Sequence, residues 1–216
     1  PSDDTVKTAS LQANAVTGAK LNTDVISAQT ALTAEPADTD EFLVSDAGTL
    51  KRIDYSLIKG GGITEADQWR ITAEKSVSSS GSDITANWER NDTNFDKIGT
   101  GMSESSGIFS FASTGIYLIM VNVSYKSQSA DSRYFEFKLQ ATTDNSSYSA
   151  IAVALDSIKY IDSSTYGNFG VSAIFDVTNT TTHKVKFTVE SQNATIMSAS
   201  SSINYNDFTF LRLGDT

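Results

Sequence analysis

One histidine, His183, sits in Thr180-Thr181-Thr182-His183-Lys184, and it is the only imidazole available for base-assisted nucleophilic chemistry. Its polar neighbours at the start of a strand read as an exposed turn. Neither a Gly-x-Ser-x-Gly elbow nor a Gly-Lys-Ser/Thr phosphate loop occurs, and Gly99-Thr100-Gly101 is too short to cradle a phosphate. Glycoside hydrolysis needs two carboxyl groups facing each other at roughly 5 to 9 Å. Asp92 with Asp96 and Asp156 with Asp162 are the pairs a fold would have to bring together. Acidic residues on loops are more often solvated, so no catalytic residue is assigned and the chain reads as a non-enzyme. With no Cys in the sequence, disulfides and thiolate zinc sites are excluded. Oxygen donors of the kind calcium requires occur at Asp38-Thr39-Asp40-Glu41 and Asn204-Tyr205-Asn206-Asp207. Neither spacing matches a dedicated calcium loop, and no metal or cofactor is assigned. Five Asn-x-Ser/Thr triplets begin at Asn91, Asn122, Asn145, Asn179 and Asn193. A chain in which Ser and Thr form about a quarter of the residues produces such triplets by chance.

Binding chemistry is better represented than catalysis. Tyr148, Tyr160 and Tyr166 each combine an aromatic face that stacks on a sugar ring with a hydroxyl that bonds its edge. They fall in the polar stretches Thr142–Ser149 and Ser157–Asn168, which with Ser127–Ser132 and Gln192–Ser202 read as loops between strands. Loop tips on a rigid scaffold are the usual seat of recognition. These three tyrosines are the candidate ligand-binding residues, with core burial or contacts between protomers as the alternative use of each.

The scaffold that holds those loops follows from composition and alternation. The 216 residues carry 16 Lys+Arg against 26 Asp+Glu, a formal net charge of -10. That balance argues against a nucleic-acid partner, because phosphate-backbone affinity rests on clustered cations. No window approaches the run of roughly 18 apolar residues of a spanning helix, so membrane insertion is not expected. From Ile63 onward the pattern is alternating. Gln68–Glu74, Ile108–Phe111, Ile116–Tyr125 and Ile203–Leu213 read as strands. Phe135, Phe137 and Leu139 share one face of another, and Val171, Ala173, Phe175 and Val177 share one face of the next. Val185, Phe187 and Val189 lie opposite Lys184, Lys186 and Glu190. The apolar run Ile116–Tyr125 predicts a strand covered on both faces. With no amphipathic helix between them, these strands mean an all-β sandwich or jelly roll.

The first 62 residues are organised differently. Leu11–Thr17 recurs ten residues later as Leu21–Ser27, with Asp4-Thr5-Val6 a partial earlier copy. A ten-residue unit cannot bury its own apolar positions, so residues 1–35 read as an extended, oligomeric neck. Residues 36–62 follow as a small hairpin and hinge: Glu41–Ser45 and Leu50–Asp54 as strands, Asp46–Thr49 as the turn, one helical turn at Tyr55–Lys59, then Gly60-Gly61-Gly62. A head occupies residues 63–216.

Specific motifs in that head, Phe95-Asp96-Lys97-Ile98, Gly107–Phe111, Thr114–Ile119 and the closing Phe208–Leu213, resemble the tumour necrosis factor and complement-type globular-head superfamily. The resemblance implies a ten-stranded jelly roll assembled as a homotrimer, with a tight turn at Gly115. In the first part, Ala15–Leu21 and Asp38–Ile53 are similar to segments of bacteriophage fibre proteins, especially those of marine and cyanobacterial phages. The two together imply a virion fibre protein. Its N-terminal segment would attach to other virion proteins and its trimeric head would bind a host-surface glycan or receptor. A structural virion component without a host ligand, such as a capsid decoration protein, head fibre or tail joint, is the alternative.

Overall fold

A computed structural model describes residues 24–58 and 62–216. The ten-residue repeat and neck therefore lie, up to residue 23, outside the described residues, as do Gly60 and Gly61. The chain divides into two compact units after Gly60.

In the first unit, α1 (Asp24–Ser27) is a single turn. The hairpin pairs β1 (Glu41–Asp46) with β2 (Thr49–Asp54) in six-residue register, Glu41 opposite Asp54 and Asp46 opposite Thr49. Its two-residue link, Ala47-Gly48, has φ of +48° and +86°. Two positive φ values in succession give the turn whose twist matches the flanking strands, and Gly at the second position meets that demand without strain. The helical turn expected at Tyr55–Lys59 is a 3₁₀ turn over Tyr55–Leu57.

The second unit is a sandwich of two antiparallel sheets. The larger runs β4 (Lys75–Val77), β15 (Thr195–Met197), β10 (Gly115–Ser127), β16 (Asp207–Gly214), β3 (Ala66–Ile71) and β6 (Trp88–Arg90). On it β13 (Tyr166–Val177) pairs the other side of β10, and β7 (Lys97–Ile98) pairs β3. The smaller runs β12 (Ser149–Ile158), β11 (Ser132–Thr142), β14 (Lys184–Ser191), β9 (Ile108–Ser110) and β8 (Ser103–Ser105), with β5 (Ser82–Asp83) on β14. This is the expected jelly roll, its long strands supplemented by pieces of two or three residues.

Period-two alternation fills the space between the sheets. Tyr117, Ile119, Val121, Val123 and Tyr125 point inward from β10, while Phe135, Phe137 and Leu139 on β11 and Val185, Phe187 and Val189 on β14 meet them; all are buried. Trp88 stands edge-on to Phe109 and Phe208 at 4.8 and 4.6 Å, and Tyr125 stacks on Phe135 at 4.3 Å. Each fully buried Phe contributes about 1.5–3 kcal/mol of transfer free energy, so this aromatic cluster holds the sheets together.

Five expectations are corrected. The run Ile116–Tyr125 is covered on one face only: Ile116, Leu118 and Met120 on the other face are half-buried and Asn122 is exposed. The stretch Gln192–Ser202 is not one loop, because Thr195–Met197 pairs with both Tyr125–Ser127 and Lys75–Val77. The last strand begins at Asp207, since Asn206 is buried and spends its side chain on the Ser124 N–H and the Ser198 carbonyl. The strand placed at Gln68–Glu74 runs Ala66–Ile71 instead. His183 is buried: its ring lies 5.7 Å from Phe175, and its two nitrogens reach the hydroxyls of Thr178 and Thr182 at 3.2 and 3.1 Å.

Gly115 and Gly107, both in the family-like motifs, are fixed by close approaches. A Cβ at Gly115, where φ is +145°, would lie 2.4 Å from Arg212 Nε; at Gly107, where φ is +84°, it would lie 2.2 Å from the Ile84 carbonyl oxygen.

Candidate interaction surfaces

The strand register sets the head's outer surfaces. Directly opposed residues share a face, so one apolar row crosses five strands of the larger sheet: Ile174 on β13, Leu118 on β10, Leu211 on β16, Ala66 on β3 and Ile98 on β7. Ile174 is 66% exposed and Ile98 40%, Leu118 and Leu211 are half-buried, and Ala66, at 3%, is buried, so the exposed part of the row is interrupted at β3. Ile116, Met120 and Leu213 widen the row, and a shallow groove of about 250 Å³ opens beside Met120, Asn122, Gly170 and Ser172.

Polar chemistry occupies the rest of that face. Asn122 donates to Asp207 at 2.9 Å, Gln68 donates to the Thr209 hydroxyl at 2.9 Å, and the Asn91 and Asn204 amides donate to the Gln68 carbonyl oxygen at 2.7 and 2.9 Å. Arg70, 1% exposed, donates to Glu89 at 2.7 Å. A buried arginine is tolerated only when its donors are met, and this network meets them.

Asp67, on the inward face of β3, is equally buried. Its carboxylate accepts from Arg90 Nε at 2.9 Å, Trp69 Nε1 at 2.9 Å and the Met102 N–H at 2.7 Å, while the Arg90 guanidinium lies 4.6 Å from the Trp69 ring. That saturation leaves Asp67 a structural keystone and not a free carboxylate.

A second apolar surface lies on the smaller sheet. Ile151, Val153 and Leu155 point outward from the edge strand β12 and are 40–63% exposed. A long edge strand with an apolar outer face invites pairing unless something covers it. The adjoining edge is tied across the sandwich by Tyr125, whose hydroxyl donates to Asp156 at 2.8 Å. Burial and that carboxylate raise the Tyr125 phenol far above its ordinary range.

The three candidate tyrosines are divided between the two ends of the sandwich. Tyr148 precedes β12, near the end that holds Gly62 and the C-terminus; it is half-buried, with its hydroxyl enclosed and the Lys186 ammonium 4.8 Å from its ring. Beside it Asp144 accepts from the Thr142 hydroxyl and the N–H groups of Ser146 and Ser147 at 2.7–2.8 Å, and those bonds hold its carboxyl far below the usual range. At the Asp83 carboxyl, which pairs with Lys186, burial pushes the pKa up, but hydrogen bonds from Lys186 and Thr188 and the Lys186 charge outweigh it and hold it below the ordinary value.

Tyr160 and Tyr166 lie at the opposite end, ten residues of β12 away, roughly 30 Å at the rise of a strand. Tyr160 is half-buried. Tyr166 is 60% exposed and opens β13 opposite Lys126, so it stands on a strand and not in a loop. The turn between them is closed by hydrogen bonds. The Tyr160 N–H donates to Asp131, the Ile161 and Asp162 N–H groups donate to the Thr165 hydroxyl, and the Ser164 N–H donates to Asp162. Ile161 stands on this turn 79% exposed. The most exposed large apolar side chain of this turn is therefore aliphatic, and its place on a polar Ser-rich stretch concealed it.

The remaining candidates are exposed or already engaged. Asp92 and Asp96 are exposed in the turn after β6, Asp156 bonds Tyr125, and Asp162 caps its own turn. Asn204 and Asn206 are spent on Gln68 and Ser198, Asp40 accepts from the Ala37 N–H, and Glu41 pairs with Arg52. Among the described residues, three or more His, Asp or Glu side chains nowhere gather in a metal-binding group, and no helix is long and apolar enough to cross a membrane.

Comparison with solved structures finds a likeness of fold. Murine APRIL, in a crystal structure at pH 5.0, matches 69% of this chain and 98% of its own with a TM-score of 0.51 and 13% identity. Eiger TNF from S. frugiperda matches 72% of this chain and 96% of its own with a TM-score of 0.54, also at 13% identity. A looser likeness, with a TM-score of 0.44 and 15% identity over 71% of this chain and 100% of its own, is to PRD1 vertex protein P5. No protein-family model matches the sequence, and no curated protein matches it. The head therefore has a tumour necrosis factor-like jelly-roll fold, and the likeness is one of fold.

Proposed function

We propose that the chain is a non-enzymatic phage virion fibre protein whose head forms a homotrimer. Residues 1–35 form its attachment segment, 36–62 a hairpin and hinge, and 63–216 the head. The observation that carries the assembly is the pair of unlike apolar surfaces, the five-strand row through Leu118 and the Ile151–Leu155 edge. Two different patches on one molecule satisfy each other head to tail, and such a contact is finite only when it closes into a ring. A ring of three agrees with what the family resemblance implies.

In this reading the N-terminal segment attaches to other virion proteins, and the end of the head remote from Gly62 meets a host-surface glycan or protein. Tyr160 and Tyr166, with Ile161 between them, are its contact residues, and three copies convert weak single contacts into avidity. Tyr148, at the other end, belongs to the scaffold. The phage assignment rests on the fibre-like segments Ala15–Leu21 and Asp38–Ile53 and on a cysteine-free, Ser/Thr-rich composition.

Fluorescently labelled full-length chain, applied to a panel of bacterial strains that includes marine cyanobacteria and to printed glycans, tests this. The expected result is binding that Tyr160→Ala with Ile161→Ser abolishes and Tyr148→Ala leaves intact. Binding equally strong in both variants would contradict the assignment of the remote end. The exposed Ile161 also suits a second reading, in which that end seats on another virion protein and the part is purely structural. Retention on purified particles with no binding to any cell would select it.

A further inference from the structure

We propose that the Leu43–Leu50 face of the β1–β2 hairpin packs against the same face of other copies of this chain. The inference rests on the trimer reading and goes beyond it by making the hairpin an assembly element in its own right.

A two-stranded hairpin on its own is marginal in water, because two strands enclose no core. This one carries large apolar side chains on both faces. Phe42, Val44 and Ile53 share one face, where the Tyr55 ring stands 6.1 Å from Phe42 and the Tyr55 N–H bonds the Asp40 carbonyl, so the chain itself covers part of that side. The other face holds Glu41, Leu43 and Ser45 on β1 and Leu50, Arg52 and Asp54 on β2. Leu43 is 71% exposed and Leu50 66%, and they are diagonal neighbours. This is the bare side.

Its charges fit a copy of itself. Arg52 is paired with Glu41 on this face, and Lys51 with Asp46 on the other. The cation flanking the leucines is thus neutralised within its own hairpin, and Asp54, half-buried at the end of the same face, is the one acid left to meet the Arg52 of a copy. A face carrying both signs around an apolar centre also offers each copy an opposite partner at its rim. In a trimer, the short link through Gly60–Gly62 holds three hairpins at high effective concentration, so a weak self-contact becomes populated.

The absence of Cys from the chain makes single introductions clean. Ser45→Cys lies on the leucine face beside Leu50, and Thr49→Cys lies on the opposite face of the same hairpin. Full-length variants are treated with a short bismaleimide at one protein concentration and resolved on denaturing gels, with light scattering on the same samples. The expected result is covalent dimers of Ser45→Cys forming about tenfold faster than those of Thr49→Cys, an advantage removed by adding Leu43→Thr and Leu50→Thr, which preserve strand character. A trimeric chain in which both cysteines crosslink at the same slow rate overturns the hairpin contact while leaving the trimer standing, and points to a different protein on that face. A monomeric chain overturns both.

Discussion

Replacing Asp67 with Ala should be among the most damaging single changes in the head. The carboxylate is 1% exposed and holds four donor contacts, two from Arg90 at 2.9 and 3.1 Å, one from Trp69 and one from the Met102 N–H. Removing it leaves the indole and amide donors buried without an acceptor. Arg90 keeps only its 2.7 Å bond to the Met102 carbonyl and the partial solvent access of its 24% exposed side chain. Breaking a buried pair by deleting one partner costs about 3–5 kcal/mol, and Arg90's access to water places this case near 4 kcal/mol. Asp67→Asn is the graded control. With its oxygen at the Oδ2 position it still serves Trp69, Met102 and one Arg90 contact, while its NH2 faces the Arg90 Nε–H and the countercharge is gone, so about half the loss is expected. For a unit of this size, 4 kcal/mol corresponds to a fall of about 8–16 °C in Tm. Urea unfolding should be followed by far-ultraviolet circular dichroism at one chain concentration, because Trp69 is bonded to Asp67 and its fluorescence would change without unfolding. A loss under about 1 kcal/mol for Asp67→Ala, or equal losses for Ala and Asn, would refute this reasoning.

Three smaller perturbations probe other parts of the scaffold. Tyr125→Phe removes the hydroxyl that joins β10 to Asp156 on β12; with Asp156 half-buried, stability should fall by about 1–2 kcal/mol in urea melts, and an unchanged midpoint would show that the edge is held by packing alone. Gly107→Ala places a methyl 2.2 Å from the Ile84 carbonyl oxygen at a φ of +84°, so a loss of about 1–3 kcal/mol is expected, and a neutral result would contradict that backbone geometry. Asp144→Ala should destabilise the head by a constant amount above the ordinary carboxylate range, because a carboxyl whose folded value is depressed contributes fully there. The difference from the parent should shrink as pH falls below about 4 toward the depressed folded value, and a difference independent of pH down to about 2 would exclude the charged-capping account.

How far the sequence could be read depends on the range of the interaction. Alternation is local, so Phe135-x-Phe137-x-Leu139 and Val185-x-Phe187-x-Val189 revealed core strands, and Ala47-Gly48 between two short apolar runs revealed the hairpin. The burial of Asp67 and Arg70 is not legible from charge type, which is a local property, because it depends on Arg90, Met102 and Asn204 from distant positions. Residues Thr195–Met197 were hidden in a Ser-rich stretch, since a three-residue strand has too few positions to show a period. His183 was misplaced for a related reason: the threonines around it signal a turn, but the same hydroxyls satisfy its ring nitrogens and make burial tolerable. The apolar row through Ile174, Leu118, Leu211, Ala66 and Ile98 takes one residue from each of five strands, so no window of sequence contains it. Nor does spacing reveal that Tyr148 and Tyr160 are separated by a whole strand.

The ring assembly is what every functional statement depends on, and the mass of the full-length chain in solution tests it most directly. Light scattering at micromolar concentration should give three times the 23.2 kDa of one chain. Leu118→Arg, which puts a cation in the middle of the apolar row, should dissociate that species while leaving the circular dichroism spectrum unchanged. A parent chain of 23.2 kDa would contradict the account. So would a trimer indifferent to Leu118→Arg, because the chains would then be joined through some other surface.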